Sequence, residues 1–137
     1  MIKGLSVNRV YLVTGITDMR KAINGLSIIV SEQLGYDPFS GSVFVFCNRN
    51  RDKLKILYWE HNGFWLYYKR LEKGKFKWPQ TKNEASSLSL SLRELQWLLD
   101  GLSYCQPLAH QGLKGLKTIK TTEIISINSG NYTFFLV

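Results

Sequence analysis

Residues 48–78 read NRNRDKLKILYWEHNGFWLYYKRLEKGKFKW, and this stretch decides the fold. Two apolar and aromatic runs flank Asn62-Gly63. Runs around Asn-Gly are the strongest short-range signal for a β-hairpin, because a type I′ turn needs positive φ at both central residues. Lys73-Gly74 marks a second turn. The stretch therefore predicts a β-meander.

Alternation along these strands sorts the side chains onto two faces. The first face carries Ile56, Tyr58, Trp65, Tyr67, Phe76 and Trp78. The second carries Lys55, Leu57, Trp59, Phe64 and Leu66, with Arg70, Lys75 and Lys77 further along. Aromatics that alternate along strands are typical of the core beneath a helix, so we interpret the first face as core. Stacking of these rings on exposed bases is the alternative.

The same region holds most of the positive charge. Residues 48–82 contain ten Lys or Arg and three acids, a net of +7 in a chain of +8. Lysine and arginine neutralise phosphates and release counterions, whereas a merely solvated face usually mixes signs. The pattern therefore predicts a nucleic-acid-binding surface. Its candidate residues are Arg49, Arg51, Lys53, Lys55, Lys69, Arg70, Lys75 and Lys77.

Size and composition exclude several classes of protein. A length of 137 residues with 45% hydrophobic and 20% charged residues indicates one globular domain rather than a disordered basic tail. No apolar stretch approaches the roughly 20 residues of a membrane span, and we expect a cytoplasmic protein. Cys47 and Cys105 lack the spacing of a disulfide framework or a zinc site. Cys47 is expected to be a small buried side chain.

The flanking segments predict further elements. Residues 9–14 favour a strand. Residues 19–34 carry an apolar stripe with helical spacing, with Thr17 or Asp18 as the predicted N-terminal cap and Gly35 as the residue that ends the helix. Gly25 within this helix suggests a close approach to the sheet. Residues 42–47 are typical of a strand covered on both faces.

The second half of the chain is predicted in less detail. Residues 80–89 are polar and Ser-rich, which indicates a surface linker. Ser91 and Glu94 fit a capping box for a helix over residues 92–102. Its buried residues are expected to be Leu92, Leu95, Leu98, Leu99 and Leu102. Residues 123–137 would form a hairpin.

A second candidate site is the glycine turn that opens the first helix. Thr17, Arg20 and Lys21 would suit a phosphate, because free amides at a helix start attract anions. Asp18 argues against an anion there, so an ordinary capped start is the favoured interpretation.

Catalytic patterns are weak. The ten acids are scattered, and no set resembles a two-metal centre. His61 beside Glu60 is a distant candidate for a base in RNA cleavage. We therefore expect no catalytic residues, no metal and no cofactor.

Several blocks resemble a known family: residues 17–21 (TDMRK), 37–41 (DPFSG), 43–46 (VFVF), 68–72 (YKRLE) and 76–79 (FKWP). They are similar to the small accessory protein, called TnpB, of the sixty-six family of bacterial insertion sequences. The resemblance extends in unbroken order from about Val7 to Pro107. It implies a role in transposition beside a separate, larger transposase that performs the strand chemistry, and no catalytic residues can be carried over from the family.

Together these observations predict an α+β protein with an antiparallel β-meander of about five strands packed with two helices. Residues 1–107 would form the insertion-sequence accessory domain, and residues 108–137 a divergent C-terminal extension. The predicted function is a non-catalytic accessory factor for transposition that binds DNA through the basic meander. The alternative is an adaptor that docks the transposase without contacting DNA. The sequence leaves the oligomeric state open.

Overall fold

The central strand of the sheet is a run of five apolar residues, Val43–Cys47, and every one of them is buried. A computed structural model describes residues 9–79 and 86–108. Those residues form five strands and two helices, in the order β1 (Val10–Val13), α1 (Ile23–Ile28), β2 (Val43–Cys47), β3 (Lys53–Glu60), β4 (Gly63–Arg70), β5 (Ser87–Leu90) and α2 (Leu92–Leu99). A single π-helical segment, Ile29–Gln33, continues α1. The predicted α+β class with five strands and two helices is confirmed.

The strands lie in the order β4-β3-β2-β1-β5. Strands β2, β3 and β4 form the predicted antiparallel meander. The first pair differs from the prediction, because β1 runs parallel to β2, with Tyr11 opposite Phe44. A helix lies between these two strands in the chain, and a crossover of this kind joins parallel neighbours. The sheet is therefore mixed rather than fully antiparallel.

Both faces of the sheet are covered. On one face, Phe44 and Phe46 pack with Leu57 against the first helical segment. On the other face, Ile56 and Tyr58 are buried as predicted. Leu90 of β5 belongs to this second face, and the buried residues outside the sheet that can cover it are Phe76, Trp78, Leu95, Leu98 and Leu99.

The hairpin between β3 and β4 turns one residue earlier than predicted. Glu60 pairs with Gly63, so the central turn residues are His61 and Asn62, and His61 takes a φ of 55°. This changes the strand register by two residues. Because side chains alternate with a period of two, the predicted faces are unchanged. Trp65 is nevertheless 51% exposed and is not part of the core.

The predicted third strand of the meander is absent from residues 71–79, which form no regular element. The backbone N–H groups of Leu71 and Phe76 donate to carbonyls of the loop before β3. This path leads the chain away from β4, and Trp78 Nε1 donates to the Val13 carbonyl, 3.0 Å away. Phe76 and Trp78 are buried as predicted, although no strand presents them.

Part of the predicted Ser-rich linker is strand β5. It pairs antiparallel with β1, and Thr14 bonds Ser86 through its backbone N–H and its hydroxyl. The alternation Ser87-Leu88-Ser89-Leu90 is the signal that could have identified this strand, because it has the period of a half-buried β-strand.

The two predicted helices are confirmed, but their bounds differ from the prediction. Ser91 and Glu94 form the predicted capping box, but Leu102 is 46% exposed because α2 ends at Leu99. The first helix begins at Ile23 rather than near residue 19, and no side chain caps it. Gly35 has the expected positive φ of 72°.

The nearest contact at Gly25 is with the segment that precedes α1. A Cβ on Gly25 would lie 3.2 Å from the side chain of Lys21. The glycine therefore accommodates the chain segment that precedes α1.

All of these elements belong to one compact unit, residues 7–104. The predicted hairpin at residues 123–137 lies outside the described residues. The boundary predicted at Pro107 stays a prediction. Neither helix of the described ranges has the length and apolar character that crossing a bilayer requires.

Thiol reactivity tests the central position of β2. Cys47 is fully buried, and burial raises the pKa of its thiol to about 12, whereas Cys105 is exposed. A thiolate is the reactive species, so at pH 8 we expect one fast-reacting thiol in the native protein and two in denaturant. Peptide mapping after alkylation should place the fast modification on Cys105. Rapid native labelling of Cys47 would contradict the buried position.

Candidate nucleic-acid interface

The loop between β2 and β3 is built on the side chain of Asn48. Its Oδ1 accepts hydrogen bonds from the backbone N–H groups of Asp52 and Lys53, both at 3.1 Å. Its Nδ2 donates to Asp52 Oδ1 at 2.7 Å, and this bond lowers the pKa of the Asp52 carboxyl. Arg51 completes the loop with a φ of 58°. The short basic segment is therefore held in one conformation.

Hydrogen bonds join this loop to the segment after β4. Leu71 N–H donates to the Asp52 carbonyl and Phe76 N–H to the Arg51 carbonyl, each at 2.7 Å. Lys75 Nζ donates to the Asn50 carbonyl at 2.8 Å. Cations that lie about 25 residues apart in the sequence therefore share one surface. They are Arg49, Arg51, Lys53, Lys73, Lys75 and Lys77.

Lys73 belongs to this surface although the sequence did not nominate it. It lines a shallow depression between residues 69–77 and the end of α2, together with Lys75 and Lys77. The sequence places Lys73 at the predicted Lys73-Gly74 turn. It does not show that this turn folds back against the basic loop.

Besides Lys75, the predicted DNA-binding cations Lys55, Lys69 and Arg70 also have partners within the protein. Lys55 Nζ donates to the carbonyls of Met19 and Lys21, both at 2.8 Å. Lys69 Nζ donates to the Leu99 carbonyl at the end of α2, at 3.0 Å. Arg70 forms an exposed salt bridge with Glu72 at 2.7 Å. These residues position chain segments as well as supplying charge.

The second candidate site lies at the same end of the sheet. Thr17 is buried, and its N–H donates to the Cys47 carbonyl at the end of β2. Arg20 forms a two-pronged pair with Asp18, with Nη2 2.7 Å from Oδ2. The helix begins only at Ile23, so Thr17 and Arg20 do not lie at its first turn. The turn is held against β3 by Lys55, and Lys21 remains exposed.

One end of the sheet therefore collects both candidate sites. Strands β1, β2 and β4 finish there and β3 begins there. We call this the basic end. Its cations are Arg20, Lys21, Arg49, Arg51, Lys53, Lys55, Lys69, Arg70, Lys73, Lys75 and Lys77.

The opposite end of the sheet is aromatic. Phe39 lies 4.9 Å from the ring centre of Trp59 and 5.3 Å from that of Phe64, and it is 56% exposed. Local sequence pattern does not indicate this cluster, because Phe39 comes from the turn before β2. We call these three residues the aromatic end.

His61 and Glu60, the weak catalytic candidates, do not form a site together. His61 is exposed at the hairpin tip, and Glu60 Oε1 accepts a hydrogen bond from Trp65 Nε1 at 2.9 Å. Across residues 9–79 and 86–108, no three His, Cys, Asp or Glu side chains lie close enough together to hold a metal ion.

Fold and surface define a class, a small basic α+β protein with its cations gathered at one end of a mixed sheet. A family model described as IS66 Orf2 like protein matches residues 8–109. The chain belongs to this IS66 Orf2-like family, which associates it with transposition of an insertion sequence. The family resemblance inferred from the sequence is confirmed.

Two relatives come from Sinorhizobium fredii (strain NBRC 101917 / NGR234). "Uncharacterized protein y4hO" is 36% identical over 99 residues, which cover 72% of this chain and 84% of that protein. "Uncharacterized protein y4jC" is 38% identical over 96 residues, which cover 70% and 80% of the two chains. No solved structure matches this chain significantly.

Replacing Asn48 tests the construction of the basic loop. Asn48→Ala removes the acceptor for two backbone N–H groups and the donor to Asp52. We expect a loss of about 1–3 kcal/mol in the free energy of unfolding, measured by urea denaturation. Asn50→Ala is the matched control, because only the backbone carbonyl of Asn50 is used. Equal stability of the two variants would contradict the anchoring role.

The Asp18–Arg20 pair predicts a displaced titration. Hydrogen bonds from Arg20 lower the pKa of the Asp18 carboxyl from 3.8 to about 2. Any stability from this pair is present above pH 4 and is lost as the pH falls through about 2. In Arg20→Gln we expect the Asp18 pKa to return towards 3.8, as followed by carboxyl NMR. An unchanged value would show that Arg20 is not the cause.

Proposed function

We propose that this protein is a non-catalytic accessory factor for insertion-sequence transposition that acts in the bacterial cytoplasm and binds DNA at its basic end. The single observation that carries the proposal is the joining of the loop at residues 48–53 to the segment at residues 71–77. Three hydrogen bonds, from Leu71, Lys75 and Phe76, gather cations from both segments.

The charge balance of this surface suits a polyanion. Arg49 and Lys73 are exposed, and neither forms a salt bridge within the described part of the chain. Of the acids nearby, Asp52 is hydrogen-bonded to Asn48, Glu72 is paired with Arg70, and Asp100 accepts a hydrogen bond from Gln96. The remaining positive charge would neutralise phosphates and release counterions, which is the main source of sequence-independent DNA affinity.

A second candidate function is docking of the separate transposase, and the aromatic end favours it. Exposed aromatic residues are enriched where proteins bind proteins. Phe39 is exposed there beside Trp59 and Phe64. Helix α2, in contrast, buries Leu95, Leu98 and Leu99.

The test is binding to a labelled element-end duplex and to a scrambled duplex across a salt series. Changing Arg49, Arg51 and Lys53 together to Ala should weaken binding at low salt. It should also reduce the slope of log K against log salt by up to about 0.9 for each lost phosphate contact. Preference for the element-end duplex would add site recognition.

The matched control changes Arg9 and Arg93 to Ala, which removes two charges outside the basic end, and it is compared with the double variant Arg49→Ala/Lys53→Ala. Arg93 lies over the Trp97 ring at 4.7 Å. The control should bind nearly as well as the wild-type protein. Equal weakening of both variants would argue against a defined surface. Failure of the wild-type protein to bind either duplex would overturn binding of duplex DNA and favour transposase docking.

A further inference from the structure

Tyr68 is an exposed aromatic ring within the basic end. It lies on β4, the outer strand of the described sheet, and is 54% exposed. It pairs across the strands with Lys55, whose Nζ lies 5.8 Å from the ring centre. Two residues further along the strands, Lys53 pairs with Arg70 on the same face of the sheet. A ring of this kind on an open strand is accessible to a flat ligand.

The charge around Tyr68 is positive. Lys55 holds the carbonyls of Met19 and Lys21, so the exposed Lys21 belongs to the segment beside this ring. An ammonium group has three N–H donors, and Lys55 uses two of them on these carbonyls. Lys21, Lys53 and Lys55 form no salt bridge with a carboxylate in residues 9–79 and 86–108.

We propose that Tyr68 is a stacking platform for an unpaired base of single-stranded DNA, and that Lys21, Lys53 and Lys55 contact the adjoining phosphates. This inference rests on the proposed DNA-binding function and names the form of DNA that this face takes. Bases in a duplex are stacked on one another, so a ring on a strand surface meets a base face only where the base is unpaired. Stacking with flanking cations is the common mode of single-strand binding without sequence preference.

A second exposed aromatic on the same strand shows why Tyr68 is favoured. Trp65 is 51% exposed but lies on the other face of β4. Its Nε1 donates to Glu60 Oε1 at 2.9 Å, which places a carboxylate beside the ring. That carboxylate would repel a phosphate backbone. Trp65 is therefore a matched control of similar exposure and opposite electrostatic environment.

The experiment measures binding of a labelled oligothymidine of about 12 nucleotides, and of a duplex of the same length, by fluorescence anisotropy. Tyr68→Leu should weaken oligothymidine binding by about 5- to 100-fold and change duplex binding much less. Tyr68→Phe keeps the ring and should retain the affinity. Trp65→Leu should bind oligothymidine as the wild-type protein does.

Ultraviolet crosslinking of oligothymidine to the wild-type protein provides a readout that does not depend on any variant folding. The crosslinked peptide should contain Tyr68. A crosslink at Trp65 or Phe39 instead, or unchanged oligothymidine affinity in Tyr68→Leu, would overturn the inference. If the Tyr68 inference is overturned in this way but duplex binding still depends on Arg49 and Lys53, the proposed function stands. Absence of binding to both probes would overturn both.

Discussion

The parallel pairing of β1 with β2 is the constraint on which the rest of the structure depends. Because the two strands run in the same direction, their carboxyl ends meet at one end of the sheet. The turn after β1 and the loop after β2 therefore emerge together, and Thr17 N–H donates to the Cys47 carbonyl. The antiparallel neighbours β3 and β4 then place the start of one strand and the end of the other at the same end. Residues that are far apart in the sequence therefore lie together at the basic end.

Lysine has two uses at this end. Lys55, Lys69 and Lys75 donate to backbone carbonyls of distant segments, and each of these bonds joins residues 25 or more positions apart. A hydrogen bond to a charged group contributes roughly 1.5–3 kcal/mol, and less where water reaches it. The same lysines also belong to the cations of the basic end. Structural and electrostatic roles therefore coexist in single side chains.

Sequence pattern predicted an element correctly where one local physical preference, such as apolar burial or helix capping, determined it. The burial of β2 and the capping box of α2 followed from apolar continuity and from side-chain capping. The faces of the hairpin were predicted correctly although its turn was misplaced, since a register change of two residues preserves alternation. Prediction was wrong where a distant partner decided the outcome. Residues 71–79 follow loop carbonyls instead of the ladder of β4, and Ser87–Leu90 is a strand because β1 offers an open edge.

The sequence by itself determined the fold class, the family and which segments carry the positive charge, because hydrophobic period, capping and composition are local properties. Only the tertiary structure decided which cations share a surface and which hold the chain together. Nothing near Lys55 in the sequence indicates that it binds the carbonyls of Met19 and Lys21. Likewise, Tyr68 and Trp65 look alike in sequence, and only strand pairing assigns one to cations and the other to Glu60. Hydrogen bonds between distant segments depend on strand direction and register, and these are properties of the whole sheet.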